Sequence, residues 1–510
     1  MGYKEVELKL PTDYNEGQLI RRISKKLSIR EFSFQIENKS LDARKKDNIY
    51  WLVRCSVISD ELKEEEHRLR PEMNIPYKKK EQNIIVVGSG PGGLFSALTL
   101  QKAGFKVTIL ERGTDVKKRT SGIINFEATR NFDPISNYAF GEGGAGTFSD
   151  GKLTSRSKHI NLERQFIISN YISAGAPEEI SYMKHPHLGS DNLKVIVKNL
   201  RKKFEELGGK VMFETEVKDI KTVNGAVTEV ITNAGNLEAD HFFFAIGHSA
   251  YDTYKMLISN GIQFRTKNFA IGSRVEHPQK LINLAQWGRE ELPGVKAAEY
   301  RLTSKGPNGE PVFTFCMCPG GDIVPAGAFS NTNIVNGMSR YKRNGEYANS
   351  AVVVGVDPNV LLKKEASATE ILNYVELLEN KFYDFSTEYK APFSMIEDFM
   401  ISKETDHMPC SSYILGLKSA PLWDMLPFEI IESMRVGLKD FSKKLKGFEK
   451  GKLIGLESKT SAPIQVVREQ NGLCAGFSNL YMIGEGSGFA GGIISSAADG
   501  IKAAMGLMKN

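Results

Sequence analysis

Three stretches of the chain repeat one glycine spacing, G-x-G-x-x-G. They are Gly88, Gly90 and Gly93 in "GSGPGG"; Gly141, Gly143 and Gly146 in "GEGGAG"; and Gly486, Gly488 and Gly491 in "GEGSGFAGG". This spacing lets a backbone turn sharply and come close to a dinucleotide pyrophosphate. A working fingerprint also needs a strand before it, a helix after it, a second strand, and an acidic residue about 20 positions on. Only the first stretch has all four. "NIIVVGSG" is a continuous apolar strand, and "PGGLFSALTLQKAG" is a helix with Pro91 in its first turn and Gly104 at its end. "FKVTILERG" is the second strand and ends at Glu111, 23 residues after Gly88. Gly88 permits the tight turn, Gly90 the approach of the phosphates, and Gly93 the packing of helix on strand. The helix N-terminus offers free N–H groups and partial positive charge. A carboxylate at Glu111 can accept both ribose hydroxyls and disfavours a 2′-phosphate, so FAD or NAD is expected rather than NADP.

The other two matches fail as independent fingerprints. "NYAF" before Gly141 is a weak strand, and "TFSDGKLTSR" after it carries turn residues in place of a helix. "NLYMIGEG" and "GGIISSAADGIKAAMGLM" do give a strand and a helix around the third match, but no second strand follows in this sequence. That strand must therefore join an existing sheet. The expectation is one dinucleotide touched by three glycine loops. A second loop of this kind suits the ribityl and flavin end of FAD, whereas an NAD domain does without one. For the same reason no dedicated NAD(P)H-binding domain is expected.

Other residues carry reactive chemistry with weaker spacing signals. Cys316 and Cys318 stand in "CMCPGG" and, at strand period, share one face. They read as buried structural thiols or as a redox dithiol, although C-x-C is not the C-x-x-C spacing of redox motifs. His187 and His277, each beside a proline, are candidate proton donors or hydrogen-bonded structural histidines. Arg274 can clamp a carboxylate substrate or pair with Glu276. No metal site is expected, because no second Cys or His pair has ligand spacing.

These residues need a scaffold of several domains. The 510 residues are 41% hydrophobic and 25% charged, and 67 basic against 61 acidic residues leave a net charge of only +6, which does not favour nucleic acid. Five scattered cysteines, no signal-like N-terminus and no apolar run of membrane-spanning length point to the cytoplasm. Residues 1–80 read as a β-α-β-β unit of ferredoxin-like type plus a charged, proline-punctuated linker from 60 to 82. Residues 83–250 and 456–510 read as a discontinuous Rossmann-like α/β domain, interrupted by an α+β substrate or cap domain at 251–455.

The stretches "IIVVGSGPGGLFSALTLQKAGFKVTILERG", "FGEGGAGTFSDGKLTSR", "FCMCPGGDIVPAG", "ESKTSAPIQVVRE" and "LYMIGEGSGFAGGIISSAADGIKAA" together resemble the bacterial FAD-dependent, or NAD(FAD)-utilising, dehydrogenases. These are more distantly similar to fumarate-reductase-type and GidA-type flavoproteins. The resemblance spans nearly the whole chain and implies FAD across the Rossmann-like domain under an inserted domain. It places Gly88, Gly90, Pro91, Gly93, Glu111 and Arg112 at the ADP half, and Gly143, Gly144, Gly146, Thr147 and Ser149 along the pyrophosphate and ring. It puts the Val217 backbone at the adenine, Ala245 and Gly247 at a backbone contact where Ile246 replaces the usual threonine, and Gly484 and Glu485 near the ribityl or pyrophosphate. Gly491, Gly492 and Ile493 fall at the pyrimidine edge of the flavin. The leading expectation is an FAD-dependent oxidoreductase acting on a small molecule with an unidentified electron donor or acceptor. The alternatives are an RNA-acting flavoprotein, using "RRISKK" and "DARKKDN", and a non-catalytic FAD-bound scaffold or sensor.

Overall fold

In the computed structural model, which describes residues 2–63 and 71–509, the apolar run after residue 83 forms the centre of a five-stranded parallel sheet. Its order across the sheet is Leu480–Met482, His241–Phe244, Asn83–Val87, Lys106–Leu110 and Lys210–Met212. Residues 84–87 and 242–244 and the strand Leu480–Met482 are buried on both faces, which is why the sequence reads there as unbroken apolar runs, while the edge strand Lys210–Met212 is partly exposed. The last strand of the chain has crossed back to this sheet, beside His241–Phe244. The fold is thus α/β with a Rossmann-like sheet, as its sequence pattern implies.

Helix Pro91–Lys102 follows the first strand, and the C-terminal helix Ile493–Leu507 packs on it. Two glycines allow this close approach. A Cβ on Gly500 would stand 2.2 Å from the carbonyl oxygen of Gly92, and one on Gly92 would stand 3.1 Å from the Cα of Gly484. The helix contact therefore fixes the third glycine loop against the first.

Between Phe244 and Leu480 the chain builds a second sheet of seven strands, antiparallel except for one edge pair. At its centre lies Phe269–Pro278, flanked by Tyr347–Val356 and Lys452–Glu457. Helices Ala368–Ser386 and Phe428–Lys444 pack on this sheet. The first starts with a Ser367–Glu370 capping box; the second buries the stripe Ile430, Ile431, Met434, Leu438 and Phe441. Lys452–Glu457 is hydrogen-bonded inside the seven-stranded sheet, so a cut between 455 and 456 falls within a strand, and Leu456 and Glu457 go with the inserted sheet.

The N-terminal residues form Gly2–Leu10, helix Glu16–Leu27, Ser33–Asp42 and Tyr50–Ser59, with the last strand lying between the other two. This split β-α-β unit has its own core around Val6, Leu19, Ile23 and Val53. It is also tied to the nucleotide domain. The Lys39 backbone exchanges hydrogen bonds with Tyr182 and Lys184 at 2.8 and 3.0 Å. Part of the charged stretch expected as a linker lies outside the described residues. From 71 to 82 the chain has no regular element, yet Met73 and Ile75 pack on the nucleotide domain, and the Lys78 and Lys80 amides donate to the Ala103 and Gly104 carbonyl oxygens. Among the described residues, no helix is long and apolar enough to cross a membrane.

Candidate functional site

The three glycine loops meet at the C-terminal ends of the parallel strands. Gly88 has φ +101°, and a Cβ there would lie 2.5 Å from the carbonyl oxygen of Ala245. A Cβ on Gly93 would lie 1.9 Å from the carbonyl oxygen of Gly88, so only glycine allows helix and turn to close. Gly90 caps helix Pro91–Lys102 without any side-chain hydrogen bond. A Cβ on Gly144 would come within 3.0 Å of the Gly90 Cα, and one on Gly486 within 2.8 Å of the Gly247 carbonyl oxygen. At Gly247 and Gly492, by contrast, an added Cβ would meet nothing within 4 Å. The loops crowd one another at their roots and open at their tips, as a cradle for an elongated ligand must.

Glu111 sits at the root and is buried. One carboxylate oxygen accepts from the Ser89 amide and hydroxyl at 2.9 and 2.6 Å, the other from the Gly113 and Gly141 amides at 2.9 and 3.1 Å. These four donors match the roughly four lone-pair positions of a carboxylate. The residue expected to take ribose hydroxyls thus staples the first two glycine loops together here. A ribose diol reaching it would replace some of these donors. Arg112, expected at the ADP half, pairs with Glu216 at 3.0 Å and Asp252 at 2.9 Å and lies over the Phe140 ring.

The "GEGGAG" loop is held by a residue that its glycine pattern gives no hint of. Arg119, fully buried on helix Val116–Thr129, donates to the carbonyl oxygens of Asn137, Tyr138, Gly141, Glu142 and Gly144 at 2.8–3.2 Å. Burial pulls its pKa down to about 10, against the opposing pull of Glu111 and Glu142. Thr147 and Ser149 use their hydroxyls on the loop's own carbonyls, those of Glu142 and Gly146. Gly143 and Gly144 take positive φ, and Ala145–Phe148 is a short 3-10 turn rather than a helix. Val217 begins a three-stranded antiparallel hairpin sheet, just after Thr215 donates its amide to the Glu111 carbonyl at 2.9 Å.

The third loop is pinned by Asp499, which accepts the Gly484 amide at 2.8 Å, and by Tyr254, whose hydroxyl donates to the Gly486 carbonyl at 2.8 Å. The Gly491 amide donates to the Ser495 hydroxyl at 3.2 Å, so of the expected pair at the pyrimidine edge it is already engaged. Gly492 caps the C-terminal helix, with Ile493 buried behind it. Glu485 faces His248, with 3.3 Å between Oε2 and Nδ1. The His248 Nε2 is buried without a partner. His248 directly follows Gly247, but no spacing marked it.

The expected catalytic residues divide into a cluster and an outlier. Arg274 is fully buried and pairs with Glu457 at 2.8 Å, not with Glu276, which pairs with Lys452 at 2.8 Å. The guanidinium also bonds Asn349 at 2.7 Å, the Cys316 carbonyl at 2.7 Å and the Cys318 sulfur at 3.5 Å. No carboxylate substrate can reach so enclosed a group. Cys316 and Cys318 do not sit in regular alternation, because the ladder slips by one residue between Phe315 and Cys318 and Cys316 takes φ +45°. Asp150, paired with Arg343 at 2.5 Å, lies between this cluster and His187. His187 bonds the Tyr341 carbonyl at 3.0 Å, and burial lowers its pKa to about 4. His277 is the outlier: it bonds the Phe448 carbonyl at 2.8 Å and is likewise pushed down to about 4 by burial. Both rings are buried against a backbone carbonyl oxygen. Among the described residues, no three metal-binding side chains are grouped to hold an ion.

Sequence spacing also gave no sign of Lys459. Buried, it pairs with Glu379 at 3.0 Å and bonds the Tyr251 hydroxyl, and that hydroxyl and Ser458 both donate to Glu379, at 2.9 and 2.7 Å. Burial lowers the Lys459 pKa and raises that of Tyr251 well above its usual value.

A family model described as "FAD-dependent protein, C-terminal domain-like" matches residues 268–460. A model for an NAD(P)-binding Rossmann-like domain matches 86–121, and a domain of unknown function matches 3–58. An uncharacterised protein of Clostridium beijerinckii is 37% identical over 98% of this chain and 97% of its own length. Among solved structures, CtdE in complex with FAD and a substrate aligns with 83% of this chain and 80% of its own at 11% identity and TM-score 0.38. The L-proline dehydrogenase of P. horikoshii aligns with 85% and 94% at 12% identity and TM-score 0.35, and the glycine oxidase of Bacillus cereus with 84% and 95% at 12% and 0.34. These structural likenesses are too slight to carry a substrate across.

Proposed function

The chain belongs to one family with its Clostridium relative and carries the FAD-dependent, C-terminal domain-like region, and from that premise we propose that it is an FAD-dependent oxidoreductase acting on a small molecule. The observation that carries this reading is the convergence of three glycine loops, crowded at their roots, with open space at Gly492 beside the third loop and at Gly247 after the strand His241–Phe244. The residues fit the cofactor: a helix N-terminus without a side-chain cap at Gly90, a second one at Gly492, and the unpartnered Nε2 of His248. FAD, when bound, supplies the two-electron chemistry. The chain supplies position and proton handling. On this reading Gly90 and Gly144 hold the phosphates, and the third loop holds the ring end. His248, oriented by Glu485, is the group able to hold or move a proton at Nε2. It takes the role that sequence suggested for His187 and His277, whose Nε2 atoms face the Tyr341 and Phe448 carbonyl oxygens.

Localisation in the cytoplasm is part of the same proposal, supported by five unpaired cysteines. Nucleic acid is not proposed as a partner, given the small net charge. The test is anaerobic mixing of the purified yellow protein with panels of amino acids, hydroxy acids, thiols and nicotinamide nucleotides. Saturable bleaching of the flavin by a member of the panel supports an oxidoreductase. Bound FAD that no reductant and acceptor pair can cycle contradicts it. His248→Gln, in a protein still binding FAD, is expected to slow the reactive step at least tenfold and to alter its pH profile.

A further inference from the structure

The strand Pro311–Cys318 breaks its ladder where its two thiols lie. Phe315 pairs with Ala351 and Cys318 with Asn349, so three steps on one strand cover two on the other. At about 3.3 Å per regular step, the two steps from Cys316 to Cys318 then span roughly 4.5 Å along the strand, against about 6.6 Å in an unbroken one. Disulfides need Cα atoms about 4.4–6.8 Å apart; an unbroken strand holds an i, i+2 pair at the upper edge of that range, and the contraction moves the pair inward from that edge. Cys316 makes the contraction by adopting φ +45°, which non-glycine residues do rarely. The thiols are free, and the Cys318 thiol donates to the Cys316 carbonyl oxygen at 3.3 Å. Cys316 is partly exposed, Cys318 fully buried.

The surroundings suit a thiolate. The Arg274 guanidinium touches the Cys318 sulfur and the Cys316 carbonyl oxygen. Lys152, which follows the second glycine loop, bonds the carbonyl of the intervening Met317. From Arg274 polar groups lead toward the cleft: Glu457, paired with it at 2.8 Å, and the His248–Glu485 contact on the third glycine loop. The Cys316 thiol is held below the usual thiol range by its bond with Cys318 and by Lys152 and Arg274, and Cys318 is pushed up.

We propose that Cys316 and Cys318 are a redox-active pair that closes to an intrachain disulfide and exchanges two electrons with the flavin. In the oxidative direction two S–H bonds break and one S–S bond forms. The two electrons and two protons pass to oxidised FAD, which becomes reduced; the reverse step restores the dithiol. An outside thiol or disulfide reaches the pair through the partly exposed Cys316. The disulfide itself does not require the FAD reading, whereas the exchange with flavin rests on it.

Two measurements on the full-length protein separate these parts. The first equilibrates it in glutathione buffers of graded ratio, traps free thiols, and maps peptides by mass. A loss of two hydrogens confined to the Cys316–Cys318 peptide, absent in Cys316→Ser and Cys318→Ser and unchanged in Cys410→Ser, is expected. A peptide that stays dithiol across the series overturns the proposal. The second is an anaerobic dithionite titration of the FAD-bound, glutathione-oxidised protein. It should consume four electrons per chain, against two in Cys316→Ser and Cys318→Ser. Two electrons in all three, with the disulfide nevertheless found by mass, overturns the exchange with flavin and leaves a structural bond. A protein that forms the disulfide but holds no flavin overturns the FAD reading instead.

Discussion

The cleft at the end of the parallel sheet and the interior of the seven-stranded sheet lie against each other and are built by opposite means. Around the cleft, backbone does the work: Gly88, Gly93 and Gly144 remove side chains so that backbone can close on backbone, and Gly492 leaves open space at the mouth. Under the inserted sheet, side chains do it: Arg274 with Glu457, Lys452 with Glu276, Asp150 with Arg343 and Lys459 with Glu379 are buried charge pairs. Exposed pairs contribute little, but a buried charge that loses its partner is strongly destabilising. The cleft should therefore respond to added bulk and the interior to removed charge. His248, Glu485 and Glu457 form the seam where the two constructions touch.

The largest effect is expected in the interior. Arg274→Met strands Glu457 and should cost about 3–5 kcal/mol in urea unfolding. Adding Glu457→Leu should return most of that loss, because the buried charge is then gone. Equal stabilities for the single and double variants would show that the pair does not act as a unit.

Acid should act on the same region next. His187 and His277 have folded pKa values near 4 against 6.5 unfolded, so between those pH values the unfolded chain binds more protons. Stability is full above pH 6.5 and falls as pH drops toward 4, by about 3 kcal/mol per histidine at the limit. Thermal midpoints from pH 7.5 to 4.5 should decline, and more gently in His277→Gln. Parallel curves for the two proteins would remove His277 from this account.

At the root of the cleft, Glu111→Gln replaces two acceptor positions with donors facing amides. FAD should bind about tenfold to a hundredfold more weakly, the equivalent of roughly 1.5–3 kcal/mol. Because Glu111 staples the loops, the flavin-free protein should also lose stability. Weaker FAD binding with an unchanged apo protein would mean that Glu111 serves the ribose alone.

The smallest effects come from single methyl groups. Gly93→Ala meets the Gly88 carbonyl and should cost about 1–3 kcal/mol with or without flavin. Gly492→Ala meets nothing, so only its φ of +84° matters, at about 1 kcal/mol in the apo protein, while flavin affinity changes more. If the two alanines behave alike in unfolding measurements, the contrast between root and tip is lost.

Sequence showed the backbone-built region well and the side-chain-built one poorly, for a physical reason. Gly88, Gly90, Gly93 and Glu111 lie within one βαβ unit, so their spacing is local and legible. The return of Leu480–Met482 to the sheet followed from a strand with no other sheet to join. Arg274 and Glu457, or Lys459 and Glu379, are brought together only by the long crossovers of the insertion, and no periodicity records that. Arg119 reads as one more helix charge until the carbonyls it gathers are in place. The paired thiols were visible, but the bulge that draws them together was not, because regular alternation is all that strand spacing can suggest.

The central claim is one dinucleotide held by three loops. The most direct test is the flavin content of the purified protein after reconstitution, removal of free cofactor and denaturation, read by chromatography against protein concentration. The account predicts one FAD per chain. FMN, no retained flavin, or two dinucleotides per chain would contradict it.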